Sequence, residues 1–150
     1  MKILFLGQKY NYPNFKGELG SCYMNVVLPL RNFGEVIDYP LDEFNAGKKK
    51  AEDMHREIKE IIDREKIELL IAWLIPPLNE KFFHYLTNST NVVTVGIFGD
   101  DDGGFFNTWY RFAQNHVFDW CVIIYPRTLP YYRRWENNVI SITGMFNPDF

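Results

Sequence analysis

The sequence predicts a three-layer α/β domain, built on a six-stranded parallel sheet with helices on both faces. Three observations predict it. The chain has 150 residues, 47% hydrophobic and 23% charged, which is the size and composition of one ordinary globular domain. Short apolar runs alternate with stretches in which apolar residues recur every three or four positions. Glycines and prolines stand where one period gives way to the other. An alternation kept through six strands implies parallel strands joined by right-handed crossovers. A chain of this length buries roughly two thirds of the surface its unfolded form exposes, so it needs no metal or disulfide staple.

Lys2 to Leu6 is a continuous apolar run ending at Gly7, the pattern of a strand buried on both faces. Gln8 to Lys16 is polar and aromatic, carries Pro13, and reads as a loop. Leu19, Cys22, Tyr23, Val26, Val27, Leu30 and Phe33 then fall on one helical face that Gly34 stops, with Pro29 expected to kink it. Glu35 to Tyr39 is the second strand, ended by Pro40. From about Asn45 to Lys66 the helical period returns through Ala51, Met54, Ile58, Ile61 and Ile62. Lys48, Lys49 and Lys50 oppose the dipole at the start of that helix, which makes them a solvated face or a sign that the helix starts late.

Ile67 to Ile75 is the third strand, closed by Pro76 and Pro77, and Pro77 suits the first turn of a helix buried through Leu78, Phe82, Tyr85 and Leu86. Val92 to Phe98 is the fourth strand, followed by a loop from Gly99 to Gly104. Phe105, Trp109, Phe112 and Ala113 make the next helical stripe, and Trp120 to Tyr125 the fifth strand. Thr128 is placed to cap a short helix carrying Leu129, Tyr132 and Trp135. Val139 to Ile142 is the sixth strand. Six strands favour the order 3-2-1-4-5-6, which puts the ligand crevice at the carboxyl ends of strands one and four.

Composition narrows the function. A net charge of −3 and a pI near 5.6 argue against a dedicated nucleic-acid binder, whose basic footprint should dominate. No apolar run approaches the 18 or so residues of a membrane span. Met1 and Lys2 lead into a strand rather than a signal peptide, and Cys22 and Cys121 read as buried thiols of a reducing compartment, so a cytoplasmic protein is expected.

The fold rule gathers candidate residues at one sheet edge. The loop after strand one supplies Gly7, Lys9, Tyr10, Lys16, Gly17, Gly20 and Ser21; the loop after strand four supplies Asp100, Asp101 and Asp102; the turn after strand five supplies Tyr125, Arg127 and Thr128. Gly17, Gly20 and Ser21 open the first helix, where free N–H groups attract anions; the same residues also read as a plain turn with Ser21 as cap. The dinucleotide fingerprint G-x-G-x-x-G and the phosphate loop G-x-x-x-x-G-K-[ST] do not occur. Three adjacent aspartates favour a cation, hydrogen-bond donors or full solvation. They are therefore a capping turn, an acceptor-binding or general-base group, or carboxylates for Mg²⁺ or Mn²⁺ alongside phosphates. His55, His84 and His116 make no metal spacing. Arg127 is a phosphate or carboxylate clamp or a surface arginine. Tyr10, Tyr12 and Phe15 lie in a loop, where aromatics stack on sugar or base rings or simply pack.

Four segments resemble the N-terminal, Rossmann-like half of two-domain (GT-B) glycosyltransferases, the spore-maturation-like group in particular. Met1 to Gly7 is similar to that family's first strand. Gly20-Ser21, running through Leu30-Arg31-Asn32-Phe33-Gly34-Glu35-Val36, is similar to its small-residue loop, helix and L-R-x-x-G element. Val95-Gly96-Ile97-Phe98-Gly99-Asp100-Asp101-Asp102 resembles its apolar strand ending in D-D. Val139 to Phe150, with Gly144, Asn147-Pro148 and Phe150, resembles the stretch that leads into the second domain. The resemblance implies one domain over 1–150 with an interdomain linker starting at 143–150. It implies transfer of a sugar from a nucleotide-sugar donor, gripped by a C-terminal domain, to an acceptor bound on this side. Asp100, Asp101 and Asp102 would then be acceptor-binding residues or the catalytic base, no metal or other cofactor would be required, and the chain alone would be inactive. Two alternatives stay open: a metal-dependent D-x-D transferase, and a binding module whose aromatic-rimmed crevice takes a small ligand, a partner protein or a second copy of the chain as a homodimer.

Overall fold

The computed structural model describes residues 1–10, 18–20, 23–45, 47–73, 80–98, 110–124, 126–134 and 138–142. Six strands form one parallel sheet: β1 (Lys2–Gly7), β2 (Glu35–Pro40), β3 (Leu69–Trp73), β4 (Val93–Phe98), β5 (Trp120–Ile123) and β6 (Val139–Ser141). β3 to β6 lie within the runs that predict them, and β1 and β2 each extend one residue further, to Gly7 and Pro40. The order, however, is β2-β1-β3-β4-β5-β6 rather than 3-2-1-4-5-6.

Burial supplies the reason for the difference. Leu70 and Ala72 in β3 are fully buried and Ile71 nearly so, which suits an interior strand. β2 carries Glu35, half-buried Val36, Ile37 and Asp38, and a terminal Pro40, the features of an edge. β3 accordingly pairs with β1, Ile3 opposite Leu69 and Leu6 opposite Ala72, while β2 takes the other side of β1 with Ile3 opposite Val36. The winding direction thus reverses between β1 and β3. In doubly wound sheets the ligand crevice lies where that reversal occurs, so the fold rule points to the carboxyl ends of β1 and β3, not of β1 and β4.

The chain divides into two compact units, Met1–Trp73 and Leu74–Phe150. In the first, Ile3, Leu4, Phe5 and Leu6 of β1 are buried on both faces, as the apolar run predicts. The predicted first helix is instead a π-helical turn (Tyr23–Val27) that passes into a single α turn, α1 (Leu28–Leu30). Pro29 lies directly after the π-helical turn in a continuous helical run, where its missing N–H removes one bond of the ladder, and the run ends at Leu30. Tyr23, Val26 and Val27 keep the predicted buried face, but Phe33, beyond the helix, is 71% exposed. Gly34 precedes β2 because a Cβ there would strike the carbonyl oxygen of Met1, which accepts the Glu35 N–H at 3.1 Å.

A short helix α2 (Asp42–Asn45) precedes α3 (Ala51–Glu65), whose Met54, Ile58 and Ile62 are buried. α3 starts at Ala51 with extended Lys50 before it, the late start that the three lysines imply. Right-handed crossovers put the helical segments before and after β2 on opposite faces of this part of the sheet.

The second unit packs α4 (Glu80–Ser89), α5 (Tyr110–Gln114), a 3-10 turn (Pro126–Thr128) and α6 (Leu129–Tyr132) with β4 to β6. Phe82, Phe83 and Leu86 are the buried stripe of α4, and the predicted Tyr85 is exposed. Phe83 and Phe118 rings lie 4.8 Å apart, and Phe98 and Tyr132 rings 5.1 Å apart. At the amino end of β4, the fully buried Thr94 donates from its N–H and its hydroxyl to the Asp119 carboxylate at 2.8 and 2.9 Å, and accepts the Asp119 N–H at 3.0 Å. Cys121 is buried. Among the described residues no helix is long and apolar enough to cross a membrane. Cys22, Pro77, Leu78, Phe105, Trp109 and Trp135 lie outside the described residues.

Candidate functional site

β1 ends at Gly7, where a Cβ would collide with the ring of Phe5. The next three residues are held from several directions. The Leu41 N–H donates to the Gly7 carbonyl at 2.9 Å, and the Gly20 N–H donates to the Lys9 carbonyl at 2.8 Å. Tyr10 and Leu19 form an antiparallel bridge. The Asp42 carboxylate accepts two consecutive backbone N–H groups, that of Lys9 at 2.8 Å and that of Tyr10 at 3.1 Å. Asp42 can do this because it opens α2 directly after β2, whose carboxyl end lies beside that of β1.

The side chains on this turn are ordered by charge. The Lys9 ammonium lies 3.4 Å from the Asp38 carboxylate, 5.3 Å from the centroid of the Tyr23 ring and 5.9 Å from that of Tyr10. Arg31 donates to the Tyr23 hydroxyl at 2.9 Å. The Asp38 charge raises the Lys9 pKa above its ordinary value, with burial opposing and the hydrogen bond to Asp38 adding to it. Lys9 therefore stays an ammonium at neutral pH: a hydrogen-bond donor, neither a general base nor an amine nucleophile. Tyr10 is 38% exposed, and the Lys9 and Asp38 side chains are partly exposed beside it. The result is an aromatic surface with a donor and an acceptor nearby, on a backbone held at Gly7, Lys9 and Tyr10.

A second polar cluster begins at the carboxyl end of β2. The Tyr39 hydroxyl donates to Glu57 at 2.6 Å, and the Lys49 ammonium donates to the same carboxylate at 2.7 Å while lying 3.5 Å from Glu43. Burial and the hydrogen bond to Glu57 push the Tyr39 phenol up to about 12, against the opposing pull of Lys49. The hydrogen bonds from Lys49 and Tyr39 hold the Glu57 carboxyl below its ordinary range. One of the three consecutive lysines is thus a structural tie rather than part of a solvated run.

Of the residues that the sequence nominates, Gly7, Lys9, Tyr10 and Gly20 come together in this turn. Arg127 and Thr128 belong to the other unit, after β5, where Arg127 is exposed and Thr128 buried. Thr128 occupies the position before α6, yet its own backbone is already helical and its side chain makes no capping bond. Lys16, Gly17, Ser21, Asp100, Asp101, Asp102 and Tyr125 lie outside the described residues, as do Tyr12 and Phe15. His55 lies on α3 and His84 on α4, and His116 ends α5 in a left-handed conformation. Among the described residues no group of three or more His, Cys, Asp or Glu could hold a metal ion.

Asp38, Asp42, Tyr23 and Arg31 complete the turn, and sequence reasoning does not nominate them for it. Asp38 carries a faint signal, a carboxylate interrupting an apolar strand. Asp42 is 33 residues from Lys9, and no spacing rule links two such positions. The chain matches no known protein-family model and no curated protein sequence.

Proposed function

We propose that the chain is the acceptor-side domain of a two-domain glycosyltransferase that uses a nucleotide-sugar donor. The observation that supports the reading is the parallel α/β sheet, in which the described parts of the motif segments belong to strands and to the passage from α1 into β2. The first motif is β1, Leu30 to Val36 runs from the end of α1 into β2, and Val95 to Phe98 lie in β4. The turn after β1, with an exposed tyrosine, an ammonium and carboxylates, has the mixture of apolar face, donors and acceptors that a carbohydrate uses.

In this reading a second domain holds the donor nucleotide. A carboxylate of Asp100, Asp101 or Asp102 takes the proton of the acceptor hydroxyl, the oxygen attacks the anomeric carbon, and the nucleoside diphosphate leaves with the bonding pair. Lys9, protonated throughout, has no part in the proton transfer. The two cysteines support a reducing compartment, the cytoplasm, where nucleotide-sugars serve as donors.

The test is a sugar-transfer assay on the folded chain, alone and with a supplied donor-binding domain. Transfer is expected only with both present, and is expected to fall when the aspartates are changed one at a time to Asn. No transfer in either format, with circular dichroism showing a folded chain, counts against the proposal. The reversal of winding between β1 and β3 favours a second reading, a non-catalytic small-ligand module. Ligand binding without transfer would support it.

A further inference from the structure

We infer that the turn after β1 is a subsite for a neutral sugar ring, with the Tyr10 ring as its platform. The inference rests on the glycosyltransferase reading and names the chemical class of its acceptor. Three observations within the Met1–Trp73 unit carry it.

Tyr10 is exposed, yet its backbone is not loose. Its N–H is held by Asp42, it bridges Leu19, and the preceding carbonyl is held by Gly20. An aromatic ring on a pinned backbone loses little freedom when a ligand covers it, which is the economy that preorganised sites use. The C–H face of a pyranose is apolar and suits such a ring.

The Lys9 ammonium lies over the Tyr10 ring, 5.9 Å from its centroid, and 3.4 Å from the Asp38 carboxylate, and the Lys9 and Asp38 side chains are both partly exposed. Lysine has three donor hydrogens and a carboxylate about four acceptor sites, so each keeps capacity after meeting the other. A sugar hydroxyl both donates and accepts, and a donor–acceptor pair matches it.

The local charge argues against an anionic ligand. Lys9 is balanced by Asp38, and the two backbone N–H groups that would cradle a phosphate are taken by the Asp42 carboxylate. A phosphate would have to displace one carboxylate and lie against another.

The test uses the full chain and nuclear magnetic resonance titration. The probes are methyl glycosides of glucose, galactose, mannose and N-acetylglucosamine, with uridine, adenosine and inorganic phosphate alongside. At least one glycoside is expected to bind in the millimolar range with no competition from phosphate. Tyr10→Ala should weaken it by roughly tenfold, the size of one aromatic contact. Tyr10→Phe, which keeps the ring, should bind within about threefold of wild type. The inference is overturned if no glycoside binds, if a nucleoside binds and the glycosides do not, if phosphate displaces the sugar, or if Tyr10→Ala binds as wild type does. Sugar binding without transfer beside a donor domain would remove the enzyme reading and leave the subsite standing. Transfer with an unchanged acceptor KM in Tyr10→Ala would do the reverse.

Discussion

Asp42→Ala removes the side chain that fixes the turn after β1, and its effect can be worked out from the contacts. The carboxylate accepts the Lys9 N–H at 2.8 Å and the Tyr10 N–H at 3.1 Å. A hydrogen bond to a charged group contributes about 1.5–3 kcal/mol when it is shielded from water. The bond to Lys9 is half-buried and keeps much of that value. The bond to Tyr10 is exposed, so water replaces the carboxylate there at little cost. The sum is ~2 kcal/mol, which is about a 30-fold rise in the equilibrium constant for opening the turn. The loss should be local, because the Gly20 N–H depends on the Lys9 carbonyl and the Leu41 N–H on that of Gly7. Native-state amide hydrogen exchange reads it directly. The Gly20 and Leu41 amides should exchange faster in Asp42→Ala, by an amount approaching that factor, while amides of α3 stay unchanged. Asp42→Asn keeps one acceptor oxygen and should fall between. If the Gly20 and Leu41 amides exchange at the wild-type rate in Asp42→Ala, the carboxylate does not hold the turn and the reasoning about a preorganised Tyr10 fails with it.

Three further perturbations test other parts of the structure. Tyr39 has a folded-state pKa pushed up to about 12 from an ordinary value of 10.0, so its contribution to stability is intact below pH 10 and is lost as the pH rises through about 12. Titration of the tyrosinate ultraviolet band should show a late-ionising phenol that Tyr39→Phe removes; a titration that Tyr39→Phe leaves unchanged at high pH would contradict the burial of Tyr39 and its Glu57 contact. Asp119→Ala takes away the carboxylate to which the buried Thr94 donates twice and should cost ~3 kcal/mol in urea unfolding, whereas Thr94→Val, which keeps the backbone bond, should cost ~1.5 kcal/mol. Because the two residues share one network, the double variant should cost clearly less than the sum. Gly34→Ala drives a Cβ onto the Met1 carbonyl oxygen and should destabilise by ~2 kcal/mol; a loss below about 0.5 kcal/mol would mean the β2 entry gives way freely.

The sequence by itself determined the strands and most of the helices. A run such as Ile3 to Leu6 has one stable environment, the interior of a parallel sheet, and the spacing of Met54, Ile58 and Ile62 has one shape that buries all three. These are local constraints, written in the period of the chain. Strand order is not local. Both orders obey the parallel and right-handed rules, and the choice turned on a difference in burial between β2 and β3, which is a property of neighbours. The fate of Phe33 and Tyr85 followed the same logic, since a stripe predicted from spacing fails where the helix stops short or turns a different residue inward. The turn after β1 shows the division most clearly. Gly7, Lys9, Tyr10 and Gly20 were legible because they follow a strand. Asp38 and Asp42 became part of the same turn only when β2 was laid beside β1, because a hydrogen bond across 33 residues depends on the pairing of strands and leaves no trace in their spacing.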